Sequence, residues 1–191
     1  MNKRLPKLVL ITGGVRSGKS TFAQNMAEGF GKKITFIATA QPLDKEMKQR
    51  IESHKANRPK HWETREEPCQ VAKVISKTGQ NTDVILVDCL GLLVSNLMQD
   101  YQEKVFSNLL AENIIKNIQE IIAEALKCPA TVIIVSNEVG LGLVPENAMG
   151  RFFRDILGQA NQLIASNADK VYLMVTGIPL LIKGNNNEKH F

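Results

Sequence analysis

Residues Gly13-Gly-Val-Arg-Ser-Gly-Lys-Ser20 spell Gly-x-x-x-x-Gly-Lys-Ser, directly after the apolar run Leu8-Val-Leu-Ile-Thr12. The chemistry follows from the residue types. Gly13, Gly14 and Gly18 permit dihedrals that side chains resist, so the backbone N–H groups of Gly13, Gly14, Val15, Arg16, Ser17 and Gly18 can turn inward as a nest for phosphate oxygens. A helix-period run follows, with Phe22, Ala23, Met26, Ala27 and Phe30 on one side. Its N-terminal dipole points at the same anion. Lys19 brings a positive charge to the β- and γ-phosphates, and the Ser20 hydroxyl is a ligand for Mg²⁺. These residues predict a bound nucleoside triphosphate.

Two further groups carry reactive side chains. Asp88 ends the apolar run Val84-Ile-Leu-Val87 and is the natural second acidic partner of a phosphate loop, holding Mg²⁺ directly or through water. Between Arg50 and Trp62 lie two of the three histidines, His54 and His61, with Arg50, Lys55, Arg58, Lys60 and the only tryptophan. No cysteine or carboxylate pair completes a zinc site there, and Pro59 interrupts any helix carrying both histidines. A basic surface helix is one reading. The other is a nucleophile: neutral imidazole attacks phosphorus while Lys55 and Arg58 neutralise the phosphates. A third cluster, Ser136 to Asn147, has the glycines, proline and polar residues of a shaped substrate loop ahead of a helix.

The elements that must position these residues alternate along the chain. Strands are predicted at Leu8–Thr12, Ile34–Thr39, Val84–Asp88, Thr131–Asn137 and Lys170–Thr176, with a short segment at Leu180–Lys183. Their near-continuous apolar character predicts strands covered on both faces, as in a parallel sheet between helices. Beyond the helix after the phosphate loop, helical periodicity predicts Asp44–Ala56, about Glu103–Leu126 and Glu146–Asn167, and the tail 184–191 reads as polar and frayed. In such an α/β sheet the ligand binds at the carboxyl ends of the strands, where all three clusters fall.

Composition bounds the rest. A chain of 191 residues fits one domain, 1–191. Its net charge of +5 suits anionic ligands, but one Trp, two Tyr, seven Phe and the lack of a dense Lys/Arg block argue against nucleic acid. Cys69, Cys89 and Cys128 are odd in number and lack C-x-x-C spacing, which fits a reducing compartment. The apolar run before Gly13 is too short for a signal peptide, and no window reaches the ~18 apolar residues of a membrane span. The expected location is cytoplasmic.

Together the clusters resemble one family over nearly the whole chain: the bifunctional adenosylcobinamide kinase/adenosylcobinamide-phosphate guanylyltransferases of cobalamin biosynthesis. The resemblance rests on Ile11 to Ser20, Ile37-Ala-Thr39, Arg50-Ile-Glu-Ser-His54-Lys55, Arg58-Pro-Lys-His-Trp62, Asp88-Cys-Leu, Asn137-Glu-Val-Gly140, Val144-Pro-Glu-Asn147, Phe153-Arg-Asp155 and Thr176-Gly-Ile-Pro179. The phosphate loop is widely shared. His-Lys-x-x-Arg-Pro-x-x-Trp combined with Asn-Glu-Val-Gly-x-Gly-x-Val-Pro-Glu-Asn is far more specific. Two positions depart: Gly91 stands where the family pattern has a hydroxyl residue, and Phe152 where it has a second Arg.

The resemblance implies a P-loop NTPase with a RecA-like, mostly parallel sheet flanked by helices, one edge strand reversed, assembled as a homotrimer. It implies two reactions. The γ-phosphate of ATP or GTP passes to the aminopropanol hydroxyl of adenosylcobinamide, and a histidine then carries GMP from GTP to the phosphorylated corrinoid. The guanylylated histidine falls on His54. Ala38, Thr39, Ala40, Lys55, Ala56, Asn57, Arg58, Glu66 and Asp88 fall where the family holds GTP, beside the phosphate loop. A monofunctional P-loop kinase would need Lys19 and Asp88 but not His54, and a nucleic-acid-binding RecA-like ATPase would need a basic groove.

Overall fold

The phosphate loop grows out of β1 (Leu8–Gly13), a strand buried at every position. In the computed structural model, which describes residues 5–56, 58–100 and 107–184, β1 lies inside a seven-stranded sheet. The other strands are β2 (Ile34–Ala38), β3 (Glu63–Glu66), β4 (Val84–Asp88), β5 (Thr131–Val135), β6 (Lys170–Val175) and β7 (Ile178–Lys183), in the spatial order β3-β2-β4-β5-β1-β6-β7. Neighbours from β3 to β6 pair in parallel, and β7 returns antiparallel on β6 at the edge. The sheet is therefore mostly parallel with one reversed edge strand, as the resemblance implies.

Alternation along each strand splits the core into two layers. Leu8, Leu10, Ile85, Val87, Val132 and Ile134 face α3 (Val71–Thr78), α4 (Leu90–Asp100), α5 (Asn108–Lys127) and α6 (Ala148–Asn167). Val9, Ile11, Phe36, Leu86, Ile133 and Val135 face α1 (Lys19–Phe30) and Trp62. Burial on both faces explains why these strands read as unbroken apolar runs. The α5 stripe Leu110, Ile114, Ile118, Ile121, Ile122 and Ala125 is core packing. Each fully buried Leu or Ile contributes about 1.5–3 kcal/mol of transfer free energy, and these side chains fix α5 to the sheet.

Several predicted boundaries move, for local reasons. Ser107 caps α5, its hydroxyl accepting from Leu110 N at 3.2 Å, so the helix starts at Asn108; residues 103–106 of the predicted span lie outside the described residues. Asn147 caps α6 through Gly150 N at 2.6 Å, moving that start from Glu146 to Ala148. The remaining predicted helix forms α2 (Lys45–Ala56). Of the predicted tail, residues 185–191 also lie outside the described residues. The short terminal segment is longer than periodicity suggests: β7 begins at Ile178, after a two-residue turn in which Thr176 and Gly177 both take positive φ, 50° and 87°. Two-residue hairpins require that geometry, because it matches the twist of the flanking strands.

Candidate functional site

Register brings the three clusters to one edge. Ala38, the last residue of β2, is aligned with Glu66 on β3 and Asp88 on β4; Asp88 is aligned with Val135 on β5, and Val135 with Ile11 on β1. One row across the carboxyl ends thus runs from Glu66 through Ala38 and Asp88 to the start of the phosphate loop.

The loop has the geometry of an anion nest. Gly13, Arg16 and Gly18 take positive φ, at 150°, 56° and 89°. A Cβ on Gly13 would lie 2.5 Å from the Met174 carbonyl oxygen, so only glycine fits. The β6–β7 turn braces the loop from behind: Gly177 N donates to Ser17 O at 3.1 Å. Lys19 is 7% exposed, and its Nζ donates to Gly14 O at 2.5 Å. Burial pushes this ammonium below the usual lysine range, opposed by Cys89 and Asp88. Cys89 is itself pushed up to about 12 by burial and by Asp88, and so stays neutral at pH 7. With Cys89 neutral, Asp88 is the anion that opposes this lowering at Lys19. Ser20, at the second position of α1, and Asp88 are both half-buried at the open end of the sheet, and a hydroxyl with a carboxylate is the oxygen donor set that suits Mg²⁺.

The segment Ala38-Thr-Ala40 divides by depth. Thr39 is fully buried; its hydroxyl donates to Cys89 O and accepts from Cys89 N, both at 2.8 Å. Asn96, a buried residue of α4 that carried no role in the sequence reading, donates to Thr39 O at 2.7 Å and to Pro68 O at 3.0 Å. Thr39 thus fixes the backbone beside Asp88, while Ala38 and Ala40 keep partial exposure.

Beyond Asp88 the row opens into a cavity of about 410 Å³ lined by Lys55, Arg58, Pro59, Lys60, Trp62, Thr64 and Glu66. α2 carries His54, Lys55 and Ala56 in its last turn. The His54 side chain and Asn57 lie outside the described residues. Lys55 pairs with Glu66. Arg58 stacks on Phe36 at 3.6 Å from the ring centroid and donates to Thr64 Oγ1 at 3.0 Å. Burial lowers its pKa, opposed by Asp88 and Glu66, so the guanidinium is coupled to both carboxylates. Among the described residues, its Nε and the Trp62 Nε1 are buried N–H donors without a protein partner. Such donors suit a polar ligand in the cavity, whose size falls within the range of small-molecule sites. His61 is exposed, while Trp62 is 6% exposed and packs on Phe36.

The sequence reading missed part of this wall. β3, Glu-Thr-Arg-Glu, is exposed at all four positions and shows neither apolar alternation nor β-branched enrichment beyond Thr64. Helices α3 and α4 were also absent from that reading. The apolar spacing Val71, Val74, Ile75 and Leu90, Leu93, Val94, Leu97 was the available signal.

The Ser136–Asn147 loop is built from its polar residues. Ser136 Oγ donates to Asn161 Oδ1 at 2.6 Å, and Glu138 N donates to Gly13 O at 2.9 Å, fastening the loop to the phosphate loop. Arg154 donates to Gly140 O at 2.8 Å and Gly142 O at 3.3 Å, and Arg151 holds Pro145 O and Glu146 O. Of the two departures, Phe152 packs against the core, and Gly91 is buried at the start of α4.

A mostly parallel α/β sheet with a glycine nest, a buried lysine and a strand-end aspartate defines a P-loop NTPase-fold protein. The chain matches the cobinamide kinase / cobinamide phosphate guanyltransferase family over residues 9–182. It is 40% identical over 181 residues to the bifunctional adenosylcobalamin biosynthesis protein CobU of Escherichia coli, covering 92% of this chain and 99% of that protein. It is 41% identical to CobU of Salmonella typhimurium over the same shares, and 39% identical to CobP of Pseudomonas aeruginosa, with 92% and 96% covered. The chain belongs to the cobinamide kinase / cobinamide phosphate guanyltransferase family. Among solved structures, the RadB recombinase shares the fold, with a TM-score of 0.54 at 15% identity over 97% of this chain and 85% of that one.

Proposed function

We propose that this chain phosphorylates the aminopropanol hydroxyl of adenosylcobinamide with ATP or GTP, then moves GMP from GTP to the product by way of a covalent GMP on His54. The observation that carries this reading is the continuous row of alternating charge Lys19, Asp88, Arg58, Glu66, Lys55 along one sheet edge. It joins the phosphate loop to the cavity beside α2, so a triphosphate and the helix carrying His54 share one electrostatic site. In the kinase step Lys19 and the loop N–H groups hold the β- and γ-phosphates, and Ser20 with Asp88 would hold Mg²⁺, which offsets charge on those oxygens. In the transfer step the neutral His54 ring nitrogen bonds to the α-phosphorus, the bond to the bridging oxygen breaks, and pyrophosphate leaves. Lys55 and Arg58 neutralise the charge that develops. The phosphate oxygen of the phosphorylated corrinoid then displaces the histidine, giving adenosylcobinamide-GDP. Three cysteines, an odd number without C-x-x-C spacing, suit a reducing cytoplasmic setting.

Incubation with α-³²P-GTP and Mg²⁺, followed by denaturing electrophoresis, tests the reading. A labelled band that is acid-labile and alkali-stable is the expected phosphoramidate. His54→Ala should abolish it, His61→Ala should retain it, and the kinase step should survive in His54→Ala. Normal labelling of His54→Ala would move the nucleophile to another residue.

A further inference from the structure

Asn137 stands at the junction of the two halves of the site. It lies two residues beyond Val135, whose register partners are Asp88 on one side and Ile11 on the other. Its backbone is held at both ends: its carbonyl accepts from Asn161 Nδ2 at 3.1 Å, and the next amide, Glu138 N, donates to Gly13 O at 2.9 Å. A Cβ on Gly91 would lie 3.3 Å from Asn137 Nδ2, so the carboxamide stands over the glycine that follows Asp88 by three residues. Among the described residues, the half-buried carboxamide makes no hydrogen bond, although its neighbour Ser136 is buried and paired. A polar group whose backbone is fixed, and whose carboxamide is left unpaired between Asp88 and the phosphate loop, is preorganised to take a ligand oxygen.

We infer that the Asn137 carboxamide is a further substrate contact in phosphoryl transfer, donating from Nδ2 to an oxygen of the γ-phosphoryl group. The inference rests on the kinase reading above. Lys19 reaches that group from the α1 side of the sheet, and Asn137 from the α4 side, so the pair would grip it from two faces. As the acceptor hydroxyl oxygen bonds to the γ-phosphorus, the bond to the β-bridging oxygen breaks. The electron pair leaves with the nucleoside diphosphate, and the hydroxyl proton goes to solvent. Asn137 gives up no proton. Its donor meets charge that grows on the equatorial oxygens, so it acts on kcat more than on nucleotide binding. The attack on the α-phosphorus needs no such contact.

The test compares Asn137→Ala and Asn137→Asp in the full chain, following kinase turnover with γ-labelled nucleotide and enzyme labelling with α-³²P-GTP. For Asn137→Ala, kcat should fall about 100-fold, as for loss of one preorganised donor, with nucleotide KM within roughly threefold and α-labelling retained. Asn137→Asp keeps the shape but sets a negative charge against the γ-phosphate, and should be slower than Asn137→Ala at equal Tm. A packing role predicts the opposite order, because the isostere preserves volume. Asn137→Asp equalling or outpacing Asn137→Ala, or both variants within threefold of the parent, would overturn the inference alone. A parent protein that fails to phosphorylate cobinamide would overturn the functional reading and the inference with it.

Discussion

Lys19 shows how one residue is made to serve. Burial works against its charge, Cys89 and Asp88 oppose that in part, and Gly14 O fixes its ammonium at the mouth of the loop. In Lys19→Ala, the loop backbone would keep its shape, because positive φ belongs to Gly13, Arg16 and Gly18. The charge-assisted contact to the transferred phosphoryl group would go. Kinase turnover should fall by at least about 100-fold, or ~2.7 kcal/mol, with the thermal midpoint preserved. A steady-state assay beside a melting curve checks this, and near-parental turnover would remove Lys19 from the chemistry. At this scale the sequence was most legible, since glycines with positive φ, a lysine and a strand-end aspartate are chemical requirements spelled in residue types. Trp62, Thr64 and Asn137 were legible only as letters, because their roles depend on what the fold sets against them.

Among the elements, the start of β4 depends on one carboxylate. Asp83 accepts from Lys32 N and Lys33 N, both at 2.9 Å, while its own N–H donates to Lys33 O at 2.8 Å and its carbonyl accepts from Thr131 N at 3.0 Å. It therefore sets the register of β2, β4 and β5 at the end opposite the site. The Lys33 and Lys32 amides hold its carboxyl below the usual carboxylate range, against a small opposing desolvation and with help from the Lys33 charge. A depressed folded pKa adds stability above the unfolded value, about 3.9, and that stability is lost as pH falls through the folded value. Asp83→Asn should lower the urea midpoint at pH 7, and the gap to the parent should close as pH falls through the folded value of Asp83; equal midpoints at pH 7 would refute the assignment. Strand runs such as Val84-Ile-Leu-Val87 were readable because burial on both faces demands apolar residues throughout. β3 was not readable: its register comes from β2, and its exposed side chains answer to the ligand cavity and solvent.

For the whole molecule, the edges of the sheet matter most. β7 ends it with Ile178, Leu180 and Ile182 exposed on one side of an antiparallel strand, a surface that isolated proteins seldom leave open. Together with the family resemblance, this motivates the expectation of a closed trimer, for which light scattering should give three times the 21.2 kDa protomer mass. A monomer mass at micromolar concentration would count against it. The Gly177–Ser17 bond bears on a different question, the order in which the parts of this protein come into being. The phosphate loop is made long before its rear support, the β6–β7 turn, and before β5 and β6, the strands that flank β1. At roughly 5–20 residues per second, the loop waits on the order of ten to thirty seconds for residue 177 to be made. A nascent chain stopped short of that turn thus carries the phosphate-binding letters without the site, and nucleotide capture becomes a mark of synthesis carried past residue 177.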